Sequence, residues 1–507
     1  MENRENAYMK LANGSDIRGV ALEGVAGESV NLTADIVREI GMAFADFIAN
    51  KTGLSYEQIR IGVGHDSRLS ANTLKDGIVN GIMDRECKVY DCGLTSTPSM
   101  FMSTVLEGFC YDGAVMITAS HLPFNRNGLK LFTKDGGLES QDIKTVLRSA
   151  SLISGLDLQL EYDVAEKADL VGAYTAHMQN LIKAEVKAAD YEKPLAGLHV
   201  VVDASNGVSG YFTNVLEPLG ASTKGSICLE PDGTFPNHVP NPENQEAMEA
   251  IRKATLNAKA DLGIIFDTDG DRAAVVFANG EEVNQNAIIA LMACIVSEQY
   301  PGTTVVTDSV TSTYLTEFLE NQLKMKHHRF KRGYKNVINE AIRLNQAGIE
   351  THLAIETSGH GAVKDNYFLD DGAYMSVKVI GKLARCRQEG TKLEDLLSGL
   401  KKAAESREYR LKIQAEDFKS YGNKVLAEFK EFAAAKKFQI EEKNVEGIRI
   451  DFDDEEVKGW MLMRMSLHDP SMPLNFEAEE VGGIAVIIER LRPFLEKYEK
   501  LSSLQEG

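Results

Sequence analysis

Cysteine is scarce in this chain. Six of 507 residues (Cys87, Cys92, Cys110, Cys228, Cys294 and Cys386) are cysteines, scattered with no Cys-x-x-Cys pair and no zinc spacing. That excludes a disulfide scaffold and leads us to expect reduced, buried thiols in a reducing compartment. Positive charge is short too, since 55 Lys and Arg against 75 Asp and Glu leave a net −20. Nucleic acid and an anionic membrane are excluded as main partners, because either needs a broad basic face. A local cluster of Arg and Lys can still draw a small phosphorylated ligand into a cleft. Long apolar runs are missing: the longest, Ala287 to Val296, is about half of what a bilayer requires. The opening Met-Glu-Asn-Arg-Glu-Asn lacks a basic segment followed by an apolar core, so no secretory leader is expected and a cytoplasmic protein is.

What is present reads as a large globular protein. At 43% apolar and 26% charged the composition is ordinary, and the length suits about three to five domains. One theme recurs: a short β-branched run stops at a polar, glycine-bearing loop, and a helical pattern usually follows. It occurs at Ile59 to Ser67, Gly113 to Ser120, Leu198 to Asp203, Leu262 to Asp267, Thr303 to Asp308 and His352 to Glu356. Such continuous apolar runs fit strands covered on both faces, with chemistry placed at their carboxyl ends. From about residue 409 the pattern changes. A helix over Ala415 to Lys437 is expected, then two strands (Gly447 to Phe452, Gly459 to Met465) joined by a solvated acidic turn, then a helix from about Ala478 to Lys500. The fold class expected is α/β, with three related mixed-sheet domains over 1–190, 191–299 and 300–406, and an α+β domain over 407–507.

The sharpest local signal is Asp267-Thr-Asp-Gly-Asp-Arg272, after a buried strand. Carboxylates at i, i+2 and i+4 in a turn that Gly270 permits can converge on one hard divalent cation. An EF-hand shares the spacing but needs Gly where Arg272 stands and Glu where Ala278 stands. Mg²⁺ suits carboxylates that share a phosphate. A second signal is Thr118-Ala-Ser-His121 with Asn127-Gly-Leu-Lys130. Ser120 ends a strand as a nucleophile could, although no Gly-x-Ser-x-Gly elbow surrounds it and a turn role alone would explain it.

Taken together, these blocks resemble the α-D-phosphohexomutase family, which includes bacterial phosphomannomutase/phosphoglucomutases. Further blocks follow in order: Gly14-Ser-Asp-Ile-Arg-Gly19, Gly64-His-Asp-Ser-Arg68, Pro231 to Pro242, Lys331-Arg-Gly-Tyr-Lys335, Glu356-Thr-Ser-Gly-His360 and Asp370-Asp-Gly372. The resemblance implies four domains around a central cleft, the last binding phosphate. It implies that Ser120 carries a phosphoryl group and shares Mg²⁺ with Asp267, Asp269 and Asp271, while Arg272 touches the same phosphate. Lys130, Arg18 and His360 would supply acid/base and charge-stabilising groups. Glu356 and Ser358 would meet the sugar hydroxyls, with Gly333 and Lys335 nearby. The implied reaction interconverts hexose 1-phosphate and hexose 6-phosphate, glucose or mannose, through a hexose 1,6-bisphosphate that also serves as activator. The expected partner is a small phosphosugar, acted on by a monomer or homodimer.

One block departs from the family pattern. Where Arg-x-Ser-Gly-Thr-Glu-Pro is usual, this chain has Arg464-Met-Ser-Leu-His-Asp-Pro470. Arg464 and Ser466 are kept as phosphate ligands, and His468 offers a donor in place of the threonine. Arg68 and His121 are read as supporting residues, although Asp66 and Arg68 could simply pair within a loop. Lys335 and Gly333 are assigned to the ligand, and the basic run before Lys331 to the surface. Trp460 is assigned to the core, as are the cysteines. Three rival functions remain open: a glucosamine-type phosphate mutase, a phosphosugar-binding protein without turnover, and a Mg²⁺ phosphatase.

Overall fold

The computed structural model describes residues 2–153, 165–466 and 469–506. Contacts divide the chain into two compact units, Met1–Ile288 with Ser358–Asp395, and Ile289–Thr357 with Leu396–Gly507.

Among its described residues the first unit carries two sheets and the short antiparallel pair Gly361–Val363 with Leu369–Asp370. The larger one is mixed: Arg60–His65 runs parallel to Lys88–Leu94 and to Gly113–Ile117, whereas Arg126–Thr133 runs antiparallel to Gly113–Ile117 and to Asp16–Val20. Its register sets Arg18 opposite Gly128 and Lys130 opposite Met116. Gly128 is needed there, because a Cβ would come within 2.1 Å of the Ile17 carbonyl oxygen. Ile61, Val63, Val115, Ile117 and Leu129 pack under Phe44 and Ile48 of helix Ala34–Thr52, whose Thr33 side chain caps the amino end. The smaller sheet orders Glu282–Val283, Ala273–Phe277, Leu262–Phe266 and Val200–Asp203, the last two parallel. Every residue of Leu262–Phe266 and of Ala273–Phe277 is buried, as continuous apolar runs require.

In the second unit, Thr304–Thr307 lies parallel to Lys326–Arg329 and to Thr351–Ile355. An antiparallel sheet follows, ordered Gln439–Ile440, Ile448–Asp453, Lys458–Met463, Ser471–Ala478, Glu405–Lys412 and Gln505–Glu506. Helices Phe418–Ala435 and Gly483–Leu495 cover one face, with Phe429, Leu491 and Phe494 against Met461, Leu474 and Phe476. No helix among the described residues is long and apolar enough to cross a membrane.

Several expectations need correction here. The C-terminal region opens on the strand Glu405–Lys412, not on a helix, and the strand begins before residue 407. Ala478 ends a strand paired on both sides, so the last helix starts later, at Gly483, after Gly482 reverses the chain at φ +91°. Cys110 is exposed and Cys228 half-buried, so only the other four cysteines are core. Arg329 is not a free surface cation: it donates to Thr316 Oγ1 at 2.6 Å and meets Glu441 at 3.2 Å. Trp460 is buried as expected, with the Arg449 guanidinium 3.8 Å from its ring centroid. The acidic turn after Asp453 is exposed, and Arg490 pairs with Asp454 and Glu456.

Candidate active site

In the first unit, the fully buried strand Gly113–Ile117 ends in the turn that presents Ser120. The Ser120 N–H donates to Thr118 Oγ1 at 2.9 Å, and Thr118 Oγ1 donates to Asp66 Oδ2 at 2.7 Å. Within this turn Ser120 takes φ +51°, a left-handed conformation uncommon outside glycine, asparagine and aspartate. Arg68 holds the loop from beneath. Its guanidinium donates to the carbonyls of Ser120, Leu122 (2.6 Å), Pro123 (2.9 Å) and Arg126 (3.0 Å) while facing Asp66 at 3.2 Å. Both readings of Arg68 therefore hold together: the local pair exists, and it braces the serine loop. Arg18 also grips the segment, donating to the Thr118 carbonyl and to Asp16 at 2.7 Å.

The buried strand Leu262–Phe266 delivers Asp267, Asp269 and Asp271 through a turn closed by Gly270 at φ +74°. Ser120 Oγ lies 3.2 Å from Asp267 Oδ2 and 3.3 Å from Arg272 Nη2. Arg272 is fixed by Asp267 Oδ2 at 2.9 Å and Asn241 Oδ1 at 3.0 Å, with Glu243 at 3.9 Å. Lys130 pairs with Asp271 and, at 3.2 Å, with Asp269. His360 Nε2 stands 3.7 Å from Asp271 Oδ1 and 3.7 Å from Asp370 Oδ2, while its Nδ1 bonds the Ser358 hydroxyl at 2.8 Å.

The electrostatics follow from crowding charge in a dry place. Burial, then Asp271 and Asp269, push the Asp267 carboxyl well above the usual range despite Arg272. Burial also works against charge on Asp271, but Lys130, His360 and Arg272 outweigh it and hold that group below its ordinary value. Arg272, followed by burial, His360 and Arg18, drives His121 down to about 2, so its ring is neutral where Nδ1 meets Ser120 Oγ at 3.3 Å.

This donor set fits a hard divalent cation. The ligand atoms of Asp267, Asp269 and Asp271 lie within 4.8 Å of one another, and all three residues are buried. Asp269 Oδ1 and Asp271 Oδ1 are buried with no hydrogen-bond partner among the described residues. Buried carboxylate oxygens left without donors are costly, and a cation would satisfy them.

The second unit holds the other sequence-derived candidates. Gly333, at φ +115°, donates its N–H to Glu356 Oε1 at 2.6 Å, and Lys335 lies in the first turn of helix Tyr334–Gln346. Burial, then the charge of Glu356, raise Asp308 to about 7. Arg464 is buried, with Nη2 at 3.9 Å from Glu408 Oε2, and Ser466 Oγ accepts from the Asp469 N–H at 3.2 Å. His468 lies outside the described residues. Sequence reasoning missed Thr97, which donates to Asp269 Oδ2 at 2.5 Å, and Asn241, which orients Arg272. It also missed Glu446, which accepts from the Arg332 N–H at 3.1 Å. Thr97 and Glu446 carry no local signature, since only long-range folding gives them these contacts. Asn241 sits in the block ending at Pro242, and that block was the available signal.

Comparison with known proteins agrees with this geometry. Residues 9–151, 173–280 and 284–403 match domains I, II and III of the family described as phosphoglucomutase/phosphomannomutase, alpha/beta/alpha. A phosphoglucomutase of Neisseria gonorrhoeae is 29% identical over 479 residues, covering 94% of this chain and 95% of that one. A phosphomannomutase/phosphoglucomutase of Pseudomonas putida is 28% identical over 468 residues, 92% of each chain. The crystal structure of a phosphoglucomutase/phosphomannomutase family protein from Burkholderia thailandensis superposes with a TM-score of 0.76 at 27% identity, covering 96% of this chain and 97% of that one. Three α/β domains with a fourth sheet domain, and family matches over more than half the sequence, place this chain in the phosphoglucomutase/phosphomannomutase (α-D-phosphohexomutase) family.

Proposed function

We propose that the protein is a phosphohexomutase that interconverts the 1- and 6-phosphates of glucose, mannose or both. The observation that carries this reading is the position of the Ser120 hydroxyl, within 3.3 Å of both Asp267 and Arg272. A hydroxyl so placed can hold a phosphoryl group against a guanidinium, with carboxylates at hand for a cation. Mg²⁺ bound by Asp267, Asp269 and Asp271 would supply Lewis-acid neutralisation of the phosphoryl charge.

The chain's own groups do the rest. Arg272 keeps a donor on the phosphoryl oxygens while Asp267 and Asn241 fix its orientation. The Ser120 Oγ–P bond breaks as a sugar oxygen bonds to phosphorus, and the proton of that sugar hydroxyl passes to a nearby base. Lys130 and His360 flank Asp271, which suits them to hold or pass that proton, and Arg18 steadies the loop. A hexose 1,6-bisphosphate results, and its turnover end for end returns a phosphoryl to Ser120. To Glu356, Ser358, Gly333, Lys335, Arg464, Ser466 and His468 we assign the sugar hydroxyls and the phosphate that does not react. The substrate is a free phosphosugar, and catalysis needs no partner beyond the monomer or homodimer.

A coupled assay with glucose 1-phosphate and mannose 1-phosphate, with Mg²⁺ and a trace of glucose 1,6-bisphosphate, tests the proposal. Isomerisation that depends on the bisphosphate supports it. Release of inorganic phosphate without isomerisation would make the protein a phosphatase. Binding without turnover would make it a receptor, and preference for glucosamine phosphate would shift the sugar assignment.

A further inference from the structure

Strand Val200–Asp203 pairs in parallel with the segment at Ile227, which brings Cys228 beside Asp203, and the loop after Pro231 folds His238 back onto both. His238 Nε2 lies 2.9 Å from Asp203 Oδ2 and 3.8 Å from Cys228 Sγ. Asp203 and His238 are buried, whereas Cys228 is half-buried and leaves a path to solvent. His238 Nδ1 is 3.0 Å from the Val239 carbonyl, which can only accept. That contact commits the Nδ1 proton, so the Nε2 position is the one that faces the carboxylate and the sulfur.

We propose that Asp203 Oδ2, Cys228 Sγ and His238 Nε2 form a second metal site, one that takes a thiolate-preferring divalent ion such as Zn²⁺.

Four features support the assignment. Zinc bonds of roughly 2.0–2.3 Å in a tetrahedron separate nitrogen from oxygen by about 3.3 Å and nitrogen from sulfur by about 3.5 Å. The distances of 2.9 Å and 3.8 Å bracket those values, so small side-chain shifts suffice. A ligating histidine commonly donates its other ring N–H to a backbone carbonyl, as Val239 provides here. Once the ion displaces the Cys228 thiol proton and the His238 Nε2 proton to solvent, a carboxylate, a thiolate and a neutral imidazole carry two negative charges, which a divalent ion cancels in a buried setting. Cys228 itself adopts φ +50°, and its carbonyl is tied down by the Asn206 N–H at 2.9 Å. Backbone strain of that kind persists where surrounding structure fixes it, and here it accompanies a sulfur facing an imidazole. Sulfur and nitrogen ligands disfavour Mg²⁺, whereas the all-carboxylate trio at Asp267 favours it, so ligand chemistry separates the two sites.

The test uses full-length protein, stripped of metal by chelator and then held in excess Mg²⁺ to fill the carboxylate trio. Titration with Co²⁺ should give a near-ultraviolet thiolate-to-metal band that saturates at one equivalent and is displaced by Zn²⁺. Cys228→Ser should abolish the band, and His238→Gln should weaken Zn²⁺ binding by about tenfold or more in competition with a coloured chelator. Zn²⁺ should raise the melting temperature of the wild type and leave that of Cys228→Ser unchanged. Absence of the band in the wild-type protein would overturn the proposal without reference to any variant. So would its persistence in Cys228→Ser.

Discussion

The guanidinium of Arg68 donates to the backbone carbonyl of Ser120, so a buried cation fastens the residue that would carry the phosphoryl group. It does so while engaging the carbonyls of Leu122, Pro123 and Arg126 as well. Lysine presents a single ammonium and cannot reproduce that fork. Arg68→Lys is expected to lower kcat with little change in KM. Arg68→Met also leaves Asp66 buried and uncompensated, at a cost of about 3 kcal/mol. Urea unfolding together with steady-state kinetics would separate the two effects, and wild-type kcat in Arg68→Lys would end the bracing role.

Ser120→Ala removes the proposed phosphoryl carrier while leaving the loop's backbone contacts in place. Turnover should fall by about a thousandfold or more with the melting curve nearly unchanged. Turnover close to wild type would exclude Ser120 as the nucleophile.

Lys130 neutralises Asp269 and Asp271 before any cation arrives. Lys130→Gln should therefore destabilise the protein in chelator and make it more responsive to Mg²⁺. A larger rise in melting temperature on adding Mg²⁺ than in the wild type is the expected reading. An equal or smaller rise would mean that the ammonium and the ion do not share the carboxylates.

The Asp203–His238 pair gives a stability signature in pH. Burial opposes charge on the His238 ring, but the bonds to Asp203 and Cys228 outweigh it and raise the group from 6.5 to about 10. The folded state thus holds a proton that the unfolded chain releases earlier. This contribution is complete below pH 6.5 and fades as pH climbs through about 10. In chelator, wild type should lose at least about 1 kcal/mol more than Asp203→Asn over that interval, measured by denaturant unfolding at each pH. Parallel profiles would show that the pair makes no such contribution.

How much of this was readable in advance depended on range. Asp267, Asp269 and Asp271 sit within one turn, so spacing alone announced them, whereas Ser120 by itself read as an ordinary turn residue and stood out only through the family resemblance of the blocks around it. The strands at Gly113–Ile117 and Leu262–Phe266 were plain because both faces are apolar. Strand Glu405–Lys412 was not, since its pattern is mostly polar and only its partner Ser471–Ala478 makes it a strand. The Asp203–Cys228–His238 cluster was invisible for the same reason: no zinc spacing exists along the chain, and the fold alone assembles it.

The left-handed backbone at Ser120 sets stability against the role proposed for its hydroxyl. Glycine would occupy that conformation with less strain, so Ser120→Gly is the substitution that relaxes the loop, and it also deletes the oxygen proposed to carry the phosphoryl group. A lineage selected for robustness alone would drift toward a sturdier protein that lacks this hydroxyl. Retaining the hydroxyl there requires continued selection for what it does.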